Sequence, residues 1–288
     1  MVKIITVIGS TGMQGGSVVR HLLERPEWKI RAITRDTEKP AAKALQEKGV
    51  EVVKADISDY DQLLAAFDGA HAVFAVTNFW EHLNKEKEVA DGKRMADAAK
   101  AAGVKHYIWS SLDSVEKITK GKYTKVHHFD GKYEVEEYIN QIGLPATFVL
   151  CATYYDIFTP RTLPDGRSAI TLPVPSDAKL FIIDTAADFG KFVAAALKMG
   201  DSAIGRRLLG SGDELSPSEM VAAWKKKGRE VVFVQTPKDM MMIQPAGEEL
   251  WEMFQYFVEY GIFNGVDVRP SQELVGDLES YERWVMRQ

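Results

Sequence analysis

The chain has 288 residues, 45% of them hydrophobic and 27% charged, with a net charge of −5 at pH 7. That is ample for one large α/β domain, or a large domain with a smaller companion, and ordinary for a globular protein. No stretch is long and apolar enough to span a membrane, and no basic arm or block offers the electrostatic footprint of direct nucleic-acid binding. MVKIITVIG enters a strand at once, without the apolar region and cleavage site of a secretory leader. A single cysteine, Cys151, leaves no intrachain disulfide framework, so a reducing compartment is expected: the cytoplasm, with the nucleus as a second location.

In chain order, the runs KIITVIG, KIRAITR, VEVVKAD, HAVFAVT, KHYIWSS and ATFVLCA are rich in Val, Ile and aromatics and bounded by Gly, Asp, Asn, Ser or Thr. Helical patterns separate them, which is the βαβ alternation of a parallel sheet covered on both faces. QGGSVVRHLLERP places Val18, Val19, Leu22 and Leu23 on one face and stops at Pro26, and EKEVADGKRMADAAKAAGV reads as a long helix ended by Gly103. The expected fold is α/β, a Rossmann-like doubly wound parallel sheet with a smaller C-terminal α/β portion. Residues 1–152 form the expected Rossmann-like domain. Residues 153–288, turn-rich at first and then mixed, form the expected smaller portion covering one side of it and returning elements to the main sheet. Within it MMMIQPAGEELWEMFQYFVEYGIF is read as a core helix rather than an adaptable binding wall.

Directly after the first strand comes GSTGMQG, and a helix opens at once. In that order Gly9 permits a tight turn, Gly12 lets the backbone approach a pyrophosphate, and Gly15 lets helix and strand pack closely. The helix N-terminus then offers N–H groups and a positive dipole end, with hydroxyls from Ser10 and Thr11. The spacing departs from GxGxxG, and its place at the first βα turn is what gives it weight. Arg35 follows the second strand, where the adenosine ribose is met. A guanidinium there favours a 2′-phosphate, with Lys39 in reach of the same group, so NADP is expected over NAD. Asp36 would serve as the NAD-type acid if the strand ended one residue later, and Arg35 could also be a plain surface residue.

With those residues, the stretches VTNFWE (76–81), GKRMADAAK (92–100) and HFDGKYEVEEY (128–138) give the chain a form that resembles the NmrA-like family of atypical short-chain dehydrogenases, in particular its HSCARG-type NADP sensors. The resemblance extends along most of the chain. It implies that Gly9, Thr11, Gly12, Gln14, Arg35, Lys39, Asp56 and Ile57 surround the adenosine and phosphates, and that Thr77, Asn78 and Phe79 border the ribose and nicotinamide. Lys132, Tyr154 and Tyr155 would lie near the nicotinamide, and Met13 and Lys93 complete the expected cofactor set.

Catalytic relatives use Tyr-x-x-x-Lys after the fifth strand, with a Ser or Thr at that strand's end. Here His128 stands at the tyrosine position, four residues before Lys132. Imidazole is shorter and differently aimed, though it exchanges protons near neutral pH. Ser110 or Ser111 could polarise a carbonyl, so Ser110, His128 and Lys132 are the candidate catalytic residues, with a polar or capping histidine as the plain alternative. His21, His71, His82 and His106 show no ligand spacing, so no metal is expected. Two functions follow: a redox-sensing NADP(H)-binding regulator acting through a protein partner, or an NADPH-dependent reductase of a small carbonyl, quinone or imine. A cofactor-stabilised scaffold is a third.

Overall fold

The computed structural model describes residues 2–288. The strands foreseen in the first half all form: β1 (Lys3–Val7), β2 (Trp28–Thr34), β3 (Glu51–Lys54), β4 (Ala72–Ala75), β5 (His106–Ser111) and β6 (Ala146–Cys151). Helices α1 (Met13–Leu23), α2 (Pro40–Glu47), α3 (Tyr60–Phe67), α4 (Lys85–Ala101), α5 (Val115–Ile118) and α6 (His127–Gln141) connect them. The rest of the chain supplies β7 (Thr153–Tyr154), β8 (Arg161–Thr162), β9 (Ser168–Leu172), β10 (Leu180–Ile183), β11 (Arg207–Gly210), β12 (Asp213–Leu215) and β13 (Val232–Gln235). Its helices are α7 (Thr185–Met199), α8 (Pro217–Lys226), α9 (Lys238–Met242), α10 (Gly247–Tyr260), α11 (Arg269–Glu273) and α12 (Tyr281–Arg287).

The central sheet runs β11-β6-β5-β4-β1-β2-β3. From β3 across to β6 every neighbouring pair is parallel, the doubly wound order that reverses direction between β1 and β4. The Rossmann-like expectation therefore holds. The strand missed by the reading is β11, whose four residues RLLG are too short and too closely flanked by charge and glycine to stand out.

Chain order and compactness do not coincide. One compact unit takes the chain up to Leu112, then His128–Leu150 and Thr185–Leu208; the other takes Asp113–His127, Cys151–Asp184 and Leu209–Gln288. In the first unit, the β-branched strands bury both faces, with Ile5, Val7, Ala72, Val73, Phe74 and Ile108 wholly inaccessible. Helix α1 packs Val18, Val19 and Leu22 inward, while Leu23, expected on the same face, is 40% exposed. Helix α4 starts at Asn84, whose side chain accepts from Lys87 N at 2.7 Å, carries Glu86 and Glu88 in its first turn where the dipole favours them, and ends before Gly103 at φ +70°.

The second unit holds two three-stranded sheets, β12-β10-β7 and β13-β9-β8. Its aromatic core joins Tyr155, Trp224, Tyr281 and Trp284, with Trp224 Nε1 donating to Tyr281 Oη at 3.0 Å and that hydroxyl donating to Phe158 O at 2.9 Å. The segment before α6 is fastened to α10: Tyr123 Oη donates to Glu259 at 2.7 Å and Lys125 N to Glu252 at 2.8 Å. The methionine-rich stretch divides. Met253, Phe254, Tyr256 and Phe257 on α10 are core, whereas Met240, Met242 and Ile243, on and just after the short α9, are exposed. A helix of five residues has no opposite apolar face to bury, so the core reading holds only for the second half of this stretch.

Candidate functional site

At the first βα turn Gly9 adopts φ +67°, a left-handed conformation that a side chain would strain. Gly12 N donates back to Gly9 O at 2.9 Å, and Gly12 stands at the N-cap position of α1 with no side chain to cap it. A Cβ at Gly15 would lie 2.3 Å from Gly9 O, so helix and turn approach as closely as they do only because that side chain is missing. Gly9, Thr11, Gly12 and Met13 are exposed, and no acidic residue occupies the first turn of α1. The result is an uncapped helix N-terminus opening on a glycine cradle, at the sheet's switch point, which fits a phosphate. Ser10 points elsewhere: it is buried and donates to Ile33 O at 3.3 Å, tying the turn to β2. Gln14 is also buried, and Ser110 at the end of β5 donates to its Oε1 at 2.7 Å.

Arg35 directly follows β2. Its Nη1 donates to Glu81 Oε1 at 2.5 Å, and that bond and charge, with a smaller contribution from Asp56, hold the guanidinium above its ordinary pKa. Asp36 is turned back on its own loop, with Oδ1 accepting from Glu38 N at 2.9 Å. Asp56 accepts from Ser58 N and Oγ at 2.9 and 2.8 Å, and these bonds, aided by Arg35, keep its carboxyl below the ordinary range. Ile57 receives Arg94 Nη1 on its carbonyl at 3.2 Å, and Lys39 is an exposed residue preceding α2. Lys93 faces α6, 3.7 Å from Glu134 and over the Tyr138 ring.

The other end of this unit is closed. Lys132 on α6 is buried, and its Nζ donates to Thr77 O at 3.1 Å, Thr77 Oγ1 at 2.8 Å and Glu88 Oε1 at 2.5 Å. Thr77 Oγ1 in turn donates to Glu88 Oε1 at 2.6 Å. All three ammonium protons are thereby used within the protein. Two glycines allow α4 and α6 to come this near: a Cβ at Gly92 would lie 2.4 Å from Val135 Cγ2, and one at Gly131 3.2 Å from Glu88 Cγ. Trp109 on β5 anchors α6 from the sheet, donating from Nε1 to Lys132 O at 3.0 Å. His82 Nε2 lies 3.7 Å from Glu88 Oε2, while its Nδ1 accepts from Asn84 N, which leaves Nε2 to carry the proton of the neutral ring.

His128 is buried beside this network, its ring centroid 4.8 Å from Trp80, 4.8 Å from Phe129 and 5.7 Å from Phe79. Phe79 and Trp80 belong to a single 3-10 turn, Phe79–Glu81, that follows the exposed Asn78. Ser111 donates to Glu136, which also meets Arg207 Nε at 3.1 Å. Thus Thr77, Phe79, His128 and Lys132 come together, Ser110 joins Gln14, and Arg35 neighbours Asp56.

Tyr154 and Tyr155 belong to the second unit. Tyr155 is wholly buried in its aromatic core, with Oη donating to Glu279 O at 2.8 Å, and Tyr154 lies on β7 opposite Ile183. Cys151 is buried at the end of β6. Among the described residues no group of three His, Cys, Asp or Glu side chains is disposed to hold a metal ion, and no helix is long and apolar enough to cross a membrane.

Sequence reasoning missed Glu88, Glu81 and Trp80. A signal for the first existed: Glu88 heads a stripe with Gly92, Met95, Ala96 and Ala99, so helical spacing puts a carboxylate on an otherwise apolar face. A buried carboxylate requires a cation, and the only question left is which one.

The profile described as NmrA-like family matches residues 1–284. Among curated proteins, an NmrA-like family domain-containing oxidoreductase, FrzB, of a Cladobotryum species is 32% identical over 78% of this chain and 74% of its own. The nitrogen metabolite repression protein nmrA of Emericella nidulans is 31% identical over 82% of this chain and 69% of its own. Among solved structures, the negative transcriptional regulator NmrA in complex with NADP superposes with a TM-score of 0.85 at 28% identity, over 99% of this chain and 94% of that one; the same regulator was also solved with NAD.

Proposed function

The chain belongs to the NmrA-like family, and from that premise we propose that it binds NADP(H) and reports the cofactor's redox state to a regulatory protein partner, with little or no turnover. In this reading the pyrophosphate is held at the N-terminus of α1 by the turn from Gly9 to Gly15, including Ser10, Thr11, Gly12, Met13 and Gln14. Arg35, Lys39, Asp56 and Ile57 surround the adenosine end, and Thr77, Asn78, Phe79, Lys93 and Lys132 serve the other. The relatives with bound NADP and NAD support a dinucleotide of this kind, and the open glycine cradle fits its phosphates.

One observation carries the preference for a regulator. The lysine of the expected catalytic pair is saturated by Thr77 and Glu88, and the residue at the tyrosine position is a histidine enclosed by Phe79, Trp80 and Phe129. The ammonium has no proton left to give, whereas a reductase requires a donor aimed at its substrate. What a bound nicotinamide supplies is hydride chemistry, and sensing needs only that its two redox states differ in affinity for two forms of the protein.

A second reading is favoured by the oxidoreductase relatives: an NADPH-dependent reductase of the atypical short-chain dehydrogenase type, acting on a small carbonyl, quinone or imine. There Ser110, His128 and Lys132 would be the catalytic candidates. Calorimetric titration of cofactor-free protein with NADP+, NADPH, NAD+ and NADH separates the two. Tighter NADP+ than NADPH, with no consumption of NADPH across a carbonyl and quinone panel, is the expected result. Tighter NADPH with turnover establishes the reductase, and no binding of any of the four removes both.

A further inference from the structure

Resting on the reading that Arg35 meets a 2′-phosphate, we propose that Glu81 tunes the choice between NADP and NAD by competing with that phosphate for the Arg35 guanidinium. The pair is direct, Arg35 Nη1 to Glu81 Oε1 at 2.5 Å, and joins residues 46 positions apart in the chain. It lies on the surface, with the two side chains 63% and 49% exposed, so a phosphate can displace the carboxylate without opening the core. The second acid in range, Asp56, accepts from Ser58 at Oδ1 and acts on Arg35 through its charge, without a hydrogen bond to the guanidinium.

The backbone beneath Glu81 is fastened independently of the ion pair. Phe79, two residues earlier, is 2% exposed and packs against His128, and Trp80 lies over the same imidazole. Glu81 can therefore swing away while its turn stays in place. A carboxylate and a 2′-phosphate on one guanidinium repel each other, and although the fork has donors for both, an acceptor already on Nη1 reduces what the phosphate gains. NAD has no group that contends for this site. The acid thus biases the protein against the 2′-phosphate that its arginine attracts, bringing the two cofactors closer in affinity.

The test is the ratio of dissociation constants, Kd for NADP+ over Kd for NAD+, measured by calorimetry on the full chain in four forms: unaltered, Glu81→Gln, Arg35→Ala and the double variant. An exposed ion pair contributes at most ~1 kcal/mol, which is about fivefold. Glu81→Gln should therefore lower the ratio by about three- to fivefold at low salt, with a smaller shift at high salt, and in the Arg35→Ala background only the salt-screened repulsion between Glu81 and the phosphate should remain, a distinctly smaller shift that high salt removes. An unchanged ratio in Glu81→Gln, or a shift of undiminished size at high salt in the Arg35→Ala background, overturns competition at Arg35. If Arg35→Ala alone leaves the ratio untouched, the 2′-phosphate assignment itself has failed, and that outcome is read from a different variant.

Discussion

The two ends of the candidate site in the first unit are built on opposite principles. The turn between β1 and α1 is made of backbone: Gly9, Thr11, Gly12 and Met13 are exposed, and the donors it offers are N–H groups at a helix start. The Lys132 end is made of buried side chains that already satisfy one another, through Thr77 and a Glu88 with no accessible surface. An open backbone cradle can receive an anion with little rearrangement, whereas a closed ion pair must be broken or bypassed before it can bind anything new. Under the proposed regulator reading this division is useful, since one end would grip the cofactor and the other would hold a fixed arrangement for a change in the nicotinamide to disturb.

The closed end should be the most sensitive to mutation. Glu88→Ala leaves the Lys132 ammonium buried without its carboxylate, and about 3–5 kcal/mol of stability should be lost in urea unfolding. Glu88→Gln, which keeps an acceptor at the same reach, should lose distinctly less. A loss under about 1 kcal/mol for the alanine variant would mean that Lys132 finds solvent easily, and the contrast between a closed and an open end would not stand.

A pH dependence that belongs to the sheet itself must be separated from any effect at the site. At the opposite end of β5 from Ser110, His106 is buried and its pKa is pushed down to about 4. Thr147 Oγ1 donates to Ala203 O at 2.8 Å, so it accepts from His106 Nε2, also at 2.8 Å, while burial away from water is what disfavours the charged ring. As pH falls below the ordinary histidine range, the unfolded chain takes up a proton that the folded one does not. Stability should therefore decline between about pH 6.5 and 4 by up to about 3 kcal/mol. His106→Asn should flatten that part of the profile, and an unchanged slope would assign it to other groups.

At the open end, Gly15→Ala is expected to strain the cradle rather than empty a core. Its methyl would meet Gly9 O, Gly9 C and Ile8 O, all backbone atoms that cannot rotate aside. About 1–3 kcal/mol of stability should go, and NADP+ and NAD+ should weaken together because, in the proposed mode, both would place a pyrophosphate there. Loss of one cofactor alone would show that the turn reads more than phosphate.

The same contrast explains what could be read in advance. The cradle was legible because its chemistry is local: a β-branched run, glycines three apart and a helix within fifteen residues all concern neighbours in the chain. So were β1 to β6, whose apolar runs are each sufficient to mark a buried parallel strand. Lys132 was identified by its neighbour His128, but its actual partners Thr77 and Glu88 lie 55 and 44 residues away. Spacing along one helix cannot express such a pairing; it arises only where Gly92 and Gly131 let α4 and α6 touch. Tyr155 illustrates the converse. The family resemblance implied a place near the nicotinamide, and no local pattern announced that its ring and hydroxyl pack on Tyr281, Trp284 and Glu279.

The smallest expected effect is the most specific. Arg35→Ala removes a guanidinium that is largely exposed, so the phosphate contact proposed for it would be screened, and NADP+ affinity should fall by only about 1–2 kcal/mol. NAD+ should be nearly unaffected, because the cradle from Gly9 to Gly15 is left intact. The substitution also leaves Glu81 and Asp56 without their cation, which raises the local negative potential and adds to the penalty for a 2′-phosphate. That added part is long-ranged and should fade as salt is raised, while the lost hydrogen bond should not. A salt series on Arg35→Ala therefore divides the effect into contact and field, and equal weakening of NAD+ at every salt concentration would place Arg35 in the turn's structure instead of at the 2′-phosphate.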